Sequence, residues 1–492
     1  MKKLIDCFLP MTGKEELAKT LDSLKRQDLV SRIIVMQSTA EVVEGVDDVM
    51  EIDTLKSSDT MRKIAQMAEA PYTMLYMKEQ YLEIGLYAFE RMVQIAEVSG
   101  AGMLYADHYR IAEDGKRTEA PVIDYQQGSL RDDFDFGSVL LFKTADLKEA
   151  ASRMQQNYQA AGFYDLRLKL SEKVQFVHIN ENLYSEVELD NRKTGEKLFD
   201  YVDPKNRHSQ IEMEQACTEY LKDVGGYLEP TFPDVPLTEG EFEVEATIMI
   251  PVLNRIRTIK DAINSALSQQ TNFKFNVFVV ENGPDFHSTD GTTEAINEIK
   301  DDRLVHIIPT RRDIGVGGSW NMAMHHPKCG RFIVQLDSDD LYSGTDTLQK
   351  MVDAFYAQNC AMIIGSYRLT DINMNILPPG KIDHREWTPD NGRNNALRIN
   401  GLGAPRAFFT PVVRDINMPN VNYGEDYALG LAISRHYQIG RIYDVVYDCR
   451  RWDDNSDGNL SIEKENRYNT YKDRIRTWEL QARIAMNKNN RS

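Results

Sequence analysis

The sequence predicts an α/β protein built twice over. It reads as two tandem domains, each a mostly parallel sheet flanked by helices, with helical extensions on their C-terminal sides. Three observations predict this. Short apolar runs alternate with stretches of helical period, as βαβ units require. A Gly- and Pro-rich stretch, Gly225 to Pro236, followed by the acidic Glu239–Glu245, divides the chain near its middle. Segments of the two halves also match in order. Pro71–Tyr76 matches Arg331–Leu336 and Ala101–Leu104 matches Ala361–Ile364, both offset by 260 residues. A repeat this long means a duplicated domain rather than a solenoid unit. The expected boundaries are a first domain at 1–222, a linker at 223–243, a second domain at 244–460 and a helical tail at 461–492.

The elements follow in order. Leu4–Leu9 and Ile33–Met36 read as strands around a helix at Glu15–Gln27, where Leu17, Leu21 and Leu24 share a face. A helix at Thr60–Glu69, a strand at Tyr72–Met77, a helix near Leu82–Val98 and a strand at Met103–Tyr105 come next. Ser138–Phe142 and Phe176–Ile179 are further strands, and Ser209–Asp223 is helical. The second half restarts with a strand at Ala246–Ile250 ending in Pro251, as Pro10 ends the first strand. A helix at Thr258–Gln270 and strands at Asn276–Val280 and Leu304–Ile308 follow. Ser319 is a candidate cap for a helix over Trp320–His326. A helix near Asp346–Ala357 and a strand at Ala361–Gly365 continue the pattern. In the helical tail, Ile475, Trp478, Ala482 and Ala485 share a face, which suggests packing on its own domain. Contact with a membrane surface through Lys472, Arg474, Arg476 and Arg483 is the minority alternative.

Composition excludes several classes of function. A net charge of −18 argues against binding nucleic acid or anionic membranes through general basic surface. No run approaches the ~18–20 apolar residues of a membrane span, and the N-terminus does not resemble a signal peptide. Five scattered cysteines without C-x-x-C spacing imply neither a disulfide framework nor a zinc site, so a reduced cytoplasm is the expected location.

The richest stretch is Arg331 to Tyr342, where an apolar strand runs straight into Asp337, Ser338, Asp339 and Asp340. Ligands of open α/β sheets sit outside the carboxyl ends of the strands. Paired carboxylates there can hold a hard divalent cation that neutralises a diphosphate. A solvated turn or a helix cap explains the same residues almost as well. In the first half the matching positions are Met77, Lys78, Glu79 and Gln80, so that copy is expected to keep the core and lose the metal site, although Asp165 is retained opposite Asp426. Asp453–Gly458 mimics the start of an EF-hand loop, but Lys464 replaces its terminal Glu, so calcium is not expected.

Taken together, the motifs Pro251…Asn254, Val279-Val280-Glu281-Asn282-Gly283, Ser288 to Thr292, Asp313-Ile314-Gly315…Trp320-Asn321, Leu336 to Asp340, Gly424-Glu425-Asp426 and Arg450-Arg451-Trp452…Asn455-Ser456 stand in one order. That order resembles the family 2 glycosyltransferases, over about Glu245–Leu460. The resemblance implies a GT-A (nucleotide-diphospho-sugar transferase) fold and an inverting transfer from a nucleotide sugar, UDP-linked by preference, to a glycan or lipid-linked hydroxyl acceptor. By position, Asp426 would be the catalytic base with Glu425 supporting it. Asp337 and Asp339 would hold Mg²⁺ or Mn²⁺. Pro251, Asn254, Arg255, Glu281, Asn282, Asp313, Gly315, Asn321, Asp337 and Ser338 would line the donor site, with Glu281 at the base. Glu281-Asn282 departs from the family's common pair of Asp, and Trp452 stands where many members have His. The alternative is a non-catalytic nucleotide-sugar or glycan-binding protein on the same fold.

Overall fold

A computed structural model describes residues 3–188, 204–282, 287–452, 455 and 460–489. The EF-hand-like stretch therefore lies almost wholly outside the described residues, as do Gly283 and Ser456. The first half contributes nine strands: β1 (Ile5–Pro10), β2 (Val30–Gln37), β3 (Asp48–Glu51), β4 (Tyr72–Tyr76), β5 (Leu82–Ile84), β6 (Met103–Ile111), β7 (Arg117–Ala120), β8 (Val139–Lys143) and β9 (Phe176–Val187). The second contributes β10 (Ala246–Val252), β11 (Phe275–Glu281), β12 (Leu304–Ile307), β13 (Phe332–Gln335), β14 (Leu341–Tyr342), β15 (Met362–Asp371), β16 (Ile376–Ile382), β17 (Arg406–Phe409) and β18 (Ile439–Arg451).

The two sheets have the same strand order. The first runs β3-β2-β1-β4-β8-β6-β9-β5 with β7 beside β6, and the second runs β12-β11-β10-β13-β17-β15-β18-β14 with β16 beside β15. Four strands on one side are parallel, and the fifth, β8 or β17, runs antiparallel to the fourth. The register matches the copies closely, with one correction to the offset read from the sequence: β4 and β13 are related by 260 residues, but β6 and β15 by 259, so Met103 stands with Met362 rather than Ile363. Met103 pairs with Phe142 as Met362 pairs with Phe408, and Leu104 pairs with Leu141 as Ile363 pairs with Ala407. One step further along, Leu140 of the first copy occupies the place of Arg406 in the second.

Covered on both faces, the central strands have no polar side to present, so they read as nearly unbroken apolar runs. In β10, Ala246, Ile248, Met249 and Ile250 are fully buried, as are Val277 to Val280 in β11. Each of these side chains larger than alanine contributes about 1.5–3 kcal/mol. The boundary stretch after Gly225 has no strand or helix, yet it is packed: Val235 and Leu237 are buried, and the Leu228 and Val235 amides donate to Asn394 and Asn359 at 2.9 Å. Helices of the first half, through Tyr164, Leu168, Ala216 and Leu221, join the hydrophobic core that surrounds the second sheet.

Two local expectations change. Leu82–Ile84 is a strand, because its backbone pairs with β9 before the helix Ala88–Ser99 begins. The helix expected after Ser319 starts earlier, at Val316, and the Ser319 hydroxyl donates back to the Gly315 carbonyl inside the first turn.

The tail is a single helix, Ile462–Asn489, but its inner face is the charged one. Trp478 is exposed, whereas Asp473, Arg476, Glu479 and Arg483 are buried. Each of these ions is paired. Arg476 reaches Asp473 and the Tyr427 hydroxyl at 2.9 Å, and Arg483 reaches Glu479 at 2.7 Å and the Ser434 hydroxyl at 3.0 Å. A buried ion needs such partners, and the periodicity of apolar residues carries no sign of them. The same helix ties the halves together, since Asp473 accepts from Ser129 at 3.0 Å and a side chain at Gly128 would collide with Thr477.

Candidate active site

Four parallel strands end at one edge of the second sheet. Because β17 runs the other way, its first residue, Arg406, lies at that same edge beside the end of β13. The Arg406 amide donates to the Gln335 side-chain oxygen at 3.1 Å. The chain leaving β13 turns at once through Asp337 to Asp340 into β14, which is pinned to β18. The Asp337 amide donates to the Tyr447 hydroxyl at 3.0 Å, and the Gln335 amide group donates to both Asp337 oxygens at 2.9 Å.

Facing this acidic turn is the start of the helix Glu425–His436. It follows Gly424, whose φ of 83° suits glycine and lets the chain turn into the helix. Arg406 bridges the two elements: its guanidinium lies 2.7 Å from Asp426, and its charge also acts on Asp337 and Glu425. From the tail, Lys472 reaches the same place. Its ammonium donates to the Asn400 carbonyl at 2.7 Å and stands 4.5 Å from the centre of the Tyr423 ring.

These neighbours pull the acids apart in acidity. Burial raises the Asp337 carboxyl against the opposing effects of Arg406 and Gln335, and the charges of Asp339 and Asp426 raise it further. Burial also raises Asp340 well above the usual carboxylate range, with Asp339 and Asp337 adding to it. Glu425 is pushed up to about 8, first by burial and then by Asp426 beside it. Asp426 goes the other way: burial would raise it, but Arg406, Lys472 and the Tyr427 amide together hold it below the ordinary value. Lys472 is lowered to about 8, chiefly by burial. A neutral acid thus stands beside an ionised one, the usual mark of a proton-handling pair.

Asp339 faces a basic, aromatic lip. It lies 3.8 Å from Arg255 and accepts from the Trp452 indole at 3.2 Å and from Asn455 at 3.4 Å. Arg257 stacks on the Trp452 ring at 4.8 Å. Trp452 therefore steadies a carboxylate where a His would offer a metal ligand.

The other expected site residues spend their polar groups on the protein. Glu281 is fully buried and accepts from the Ser288 amide, from Thr293 at 2.9 Å and from His306 at 2.8 Å. Those bonds hold its carboxyl below the usual range despite burial. Asn254, at φ 52°, accepts from the Thr289 amide at 2.8 Å and so clamps the following loop. Asn321 closes a two-way bond with Met418 at 2.8 Å each way, and the Gly315 amide donates to Asn420 at 2.8 Å. Asp313 is exposed and pairs with Arg311 at 2.6 Å. Pro251 and Asn282 are held by backbone pairing at the β10–β11 strand ends, and Ser338 is buried in the acidic turn.

The carboxylates suit a divalent cation. Asp337 and Asp339 are both partly open to solvent, and among the described residues the cations acting on them are Arg406 and Arg255, beside the neutral donors Gln335, Trp452 and Asn455. Among the described residues no three His, Cys, Asp or Glu side chains converge as a complete ligand set. Mg²⁺-type sites commonly use only one or two carboxylates and complete the shell with phosphate oxygens and water. Three contributors had no sequence signal. Arg406 follows an unremarkable Ala404-Pro405, Lys472 sits in the tail, and Gln335 ends an apolar strand.

The sheet order shared by both halves is that of a nucleotide-diphospho-sugar transferase (GT-A) fold, and the second half adds an acidic strand end facing a carboxylate pair. Residues 247–411 match the family described as glycosyl transferase family 2, so the second half carries a family 2 glycosyltransferase domain. That span includes Asp337, Asp339 and Arg406 and stops before Glu425. An uncharacterized glycosyltransferase of Rickettsia felis is 24% identical over 303 residues, covering 57% of this chain and 48% of its own length. The chain thus spans about half of that curated relative. Among solved structures, Staphylococcus aureus TarS is 20% identical over 42% of this chain and 37% of its own, with a TM-score of 0.34. The Pyrobaculum calidifontis mannosyltransferase PcManGT, solved with GDP-Man and Mn²⁺, is 16% identical over 58% of this chain and 86% of its own, with a TM-score of 0.33. Among the described residues no helix is long and apolar enough to cross a membrane.

Proposed function

We propose that the second domain transfers a sugar from a nucleotide-diphosphate donor to a hydroxyl of a glycan or lipid-linked acceptor, with inversion. The observation that carries this reading is Arg406. It stands 2.7 Å from Asp426 while its charge also acts on Asp337, so the helix-borne acid and the strand-end acids share one site.

Asp426 is the base. It is ionised at neutral pH and takes the acceptor's hydroxyl proton as that oxygen attacks the sugar carbon. Glu425, protonated at neutral pH, stands beside it without adding a second charge. Arg406 keeps Asp426 ionised and aimed at the edge of the sheet. Arg255 and Arg257 lie where they can meet the donor's phosphates. Asp337 and Asp339 would hold a Mg²⁺ or Mn²⁺ ion, which when bound neutralises the departing diphosphate. Glu281, through His306 and the Ser288 loop, shapes the wall expected to face the base. UDP-sugars are the favoured donors, and a cytoplasmic location is inferred from the reduced cysteines.

A survey of UDP- and GDP-sugars with Mn²⁺ or Mg²⁺, scoring transfer, donor hydrolysis and binding, tests the assignment. At least one donor is expected to turn over. Absence of turnover, hydrolysis and binding across all common donors would leave only the glycan-binding alternative.

A further inference from the structure

The first half contains a cavity of about 430 Å³ at the carboxyl end of β4, the edge that carries the acidic turn in the second half. That volume is within the ~300–1,000 Å³ of small-molecule sites. Here Met77 stands in the place of Asp337, and Leu140 in the place of Arg406. We propose that this cavity binds the phosphate monoester of a sugar, without a metal ion.

The charges around the cavity are nearly all accounted for. Lys78 pairs with Glu186, which also accepts from Ser138. Arg110 lies 3.2 Å from Glu188 and 3.7 Å from Asp135. Asp132 pairs with Arg398 of the second half. Among the described residues two of the lining cations remain without a carboxylate. Lys56 is exposed at the rim. Arg167 is the more telling: it is only 2% exposed, one of its terminal nitrogens donates to the Arg131 carbonyl at 2.6 Å, and the other, Nη1, has no hydrogen-bond partner among the described residues. Its guanidinium lies 4.7 Å from the Tyr164 ring and 5.4 Å from the Phe136 ring, among aromatic faces rather than acids.

A buried charged donor left unmet is costly, and a ligand oxyanion would meet it with a strong charge-assisted bond. With Arg398 included, the cations about the cavity outnumber the carboxylates by one, and the two without a carboxylate partner are placed to meet a phosphoryl group. The rest of the wall suits a sugar ring. Phe163 is partly exposed and offers an apolar face to ring carbons, and the carboxylates of Asp135 and Glu188 can accept hydroxyl protons. Their negative charge also disfavours a longer diphosphate. This inference does not depend on catalysis in the second half.

Calorimetry on the full chain in EDTA tests it, with inorganic phosphate and glucose 6-phosphate as probes and glucose as the neutral control. Both phosphates are expected to bind, and glucose at least about 10-fold more weakly than its phosphate. Arg167→Met should weaken binding about 10-fold or more, and Lys56→Met about 3-fold. Lys56 is on the surface, so its variant remains informative if Arg167→Met does not fold. No saturable binding of either phosphate up to about 10 mM, binding unchanged in both variants, or equal affinity for glucose would each overturn the proposal.

Discussion

The two halves have the same sheet order and differ most sharply at one edge. Where the second copy has Asp337, Asp339 and Arg406, the first has Met77, Glu79 and Leu140. On the facing helix Tyr164 takes the place of Tyr427, so Phe163 stands where Asp426 does, and Asp165, expected opposite Asp426, falls two positions further on. The two aspartates differ accordingly. Asp426 has a guanidinium at 2.7 Å and is held ionised. Asp165 is buried, neither of its oxygens has a hydrogen-bond partner among the described residues, and burial pushes its carboxyl up to about 6. The first copy thus lacks the base, the arginine and the acidic turn together, while the sheet keeps its order. The strands are held by apolar burial, which tolerates the exchange, whereas the chemistry rests on a few polar positions, which does not.

This contrast can be broken in order of expected effect. Asp426→Asn should lower transfer by about 10³-fold while donor binding persists, and Asp165→Asn should leave transfer within about 2-fold. A comparable loss from both substitutions would erase the distinction between the copies. Asp339→Asn should lower metal-stimulated transfer by about 100-fold, and titration with Mn²⁺ should show weakened activation. Arg406→Leu recreates the first copy in the second: Asp426 loses the charge that holds it down, so the acid limb of the pH–rate profile should move up by about 1–2 units. An unmoved limb would mean that Arg406 does not act on the base.

The smallest effect is on stability. Because the folded Asp165 titrates near 6 and the unfolded one near its ordinary value of 3.8, the folded state binds more protons between those values. Stability should therefore fall as pH rises from about 4 to 6 and then level off. Asp165→Asn should flatten that slope and stabilise the chain at pH 7 by roughly 2 kcal/mol in denaturant melts.

Much of this was legible in the sequence. The 260-residue offset gave the duplication, since apolar strands that bury both faces leave a recognisable run. The acidic turn at Asp337–Asp339 and the Gly424-Glu425-Asp426 helix start were legible through their place in an ordered series of motifs, since either alone is also what a solvated turn or a helix start favours. Arg406 and Lys472 were not, because each acts across a gap of sequence that only the sheet order or the tail closes, and Gln335, two residues from Asp337, reads as the end of an apolar strand. The tail misled for a related reason: helical periodicity registers apolar residues, while Arg476 and Arg483 are buried by virtue of distant partners. Glu281 shows the converse case, a residue whose motif suggests ligand contact and whose carboxylate is taken up by Ser288, Thr293 and His306.

The division of labour itself is tested by soaking crystals of the full chain with UDP and Mn²⁺, and separately with GDP and Mn²⁺. Nucleotide density beside Asp337 and Asp339, with the ion between them and the diphosphate, is the expected result. Nucleotide lodged at Met77 and Lys78 instead would assign the donor to the wrong copy and contradict the account.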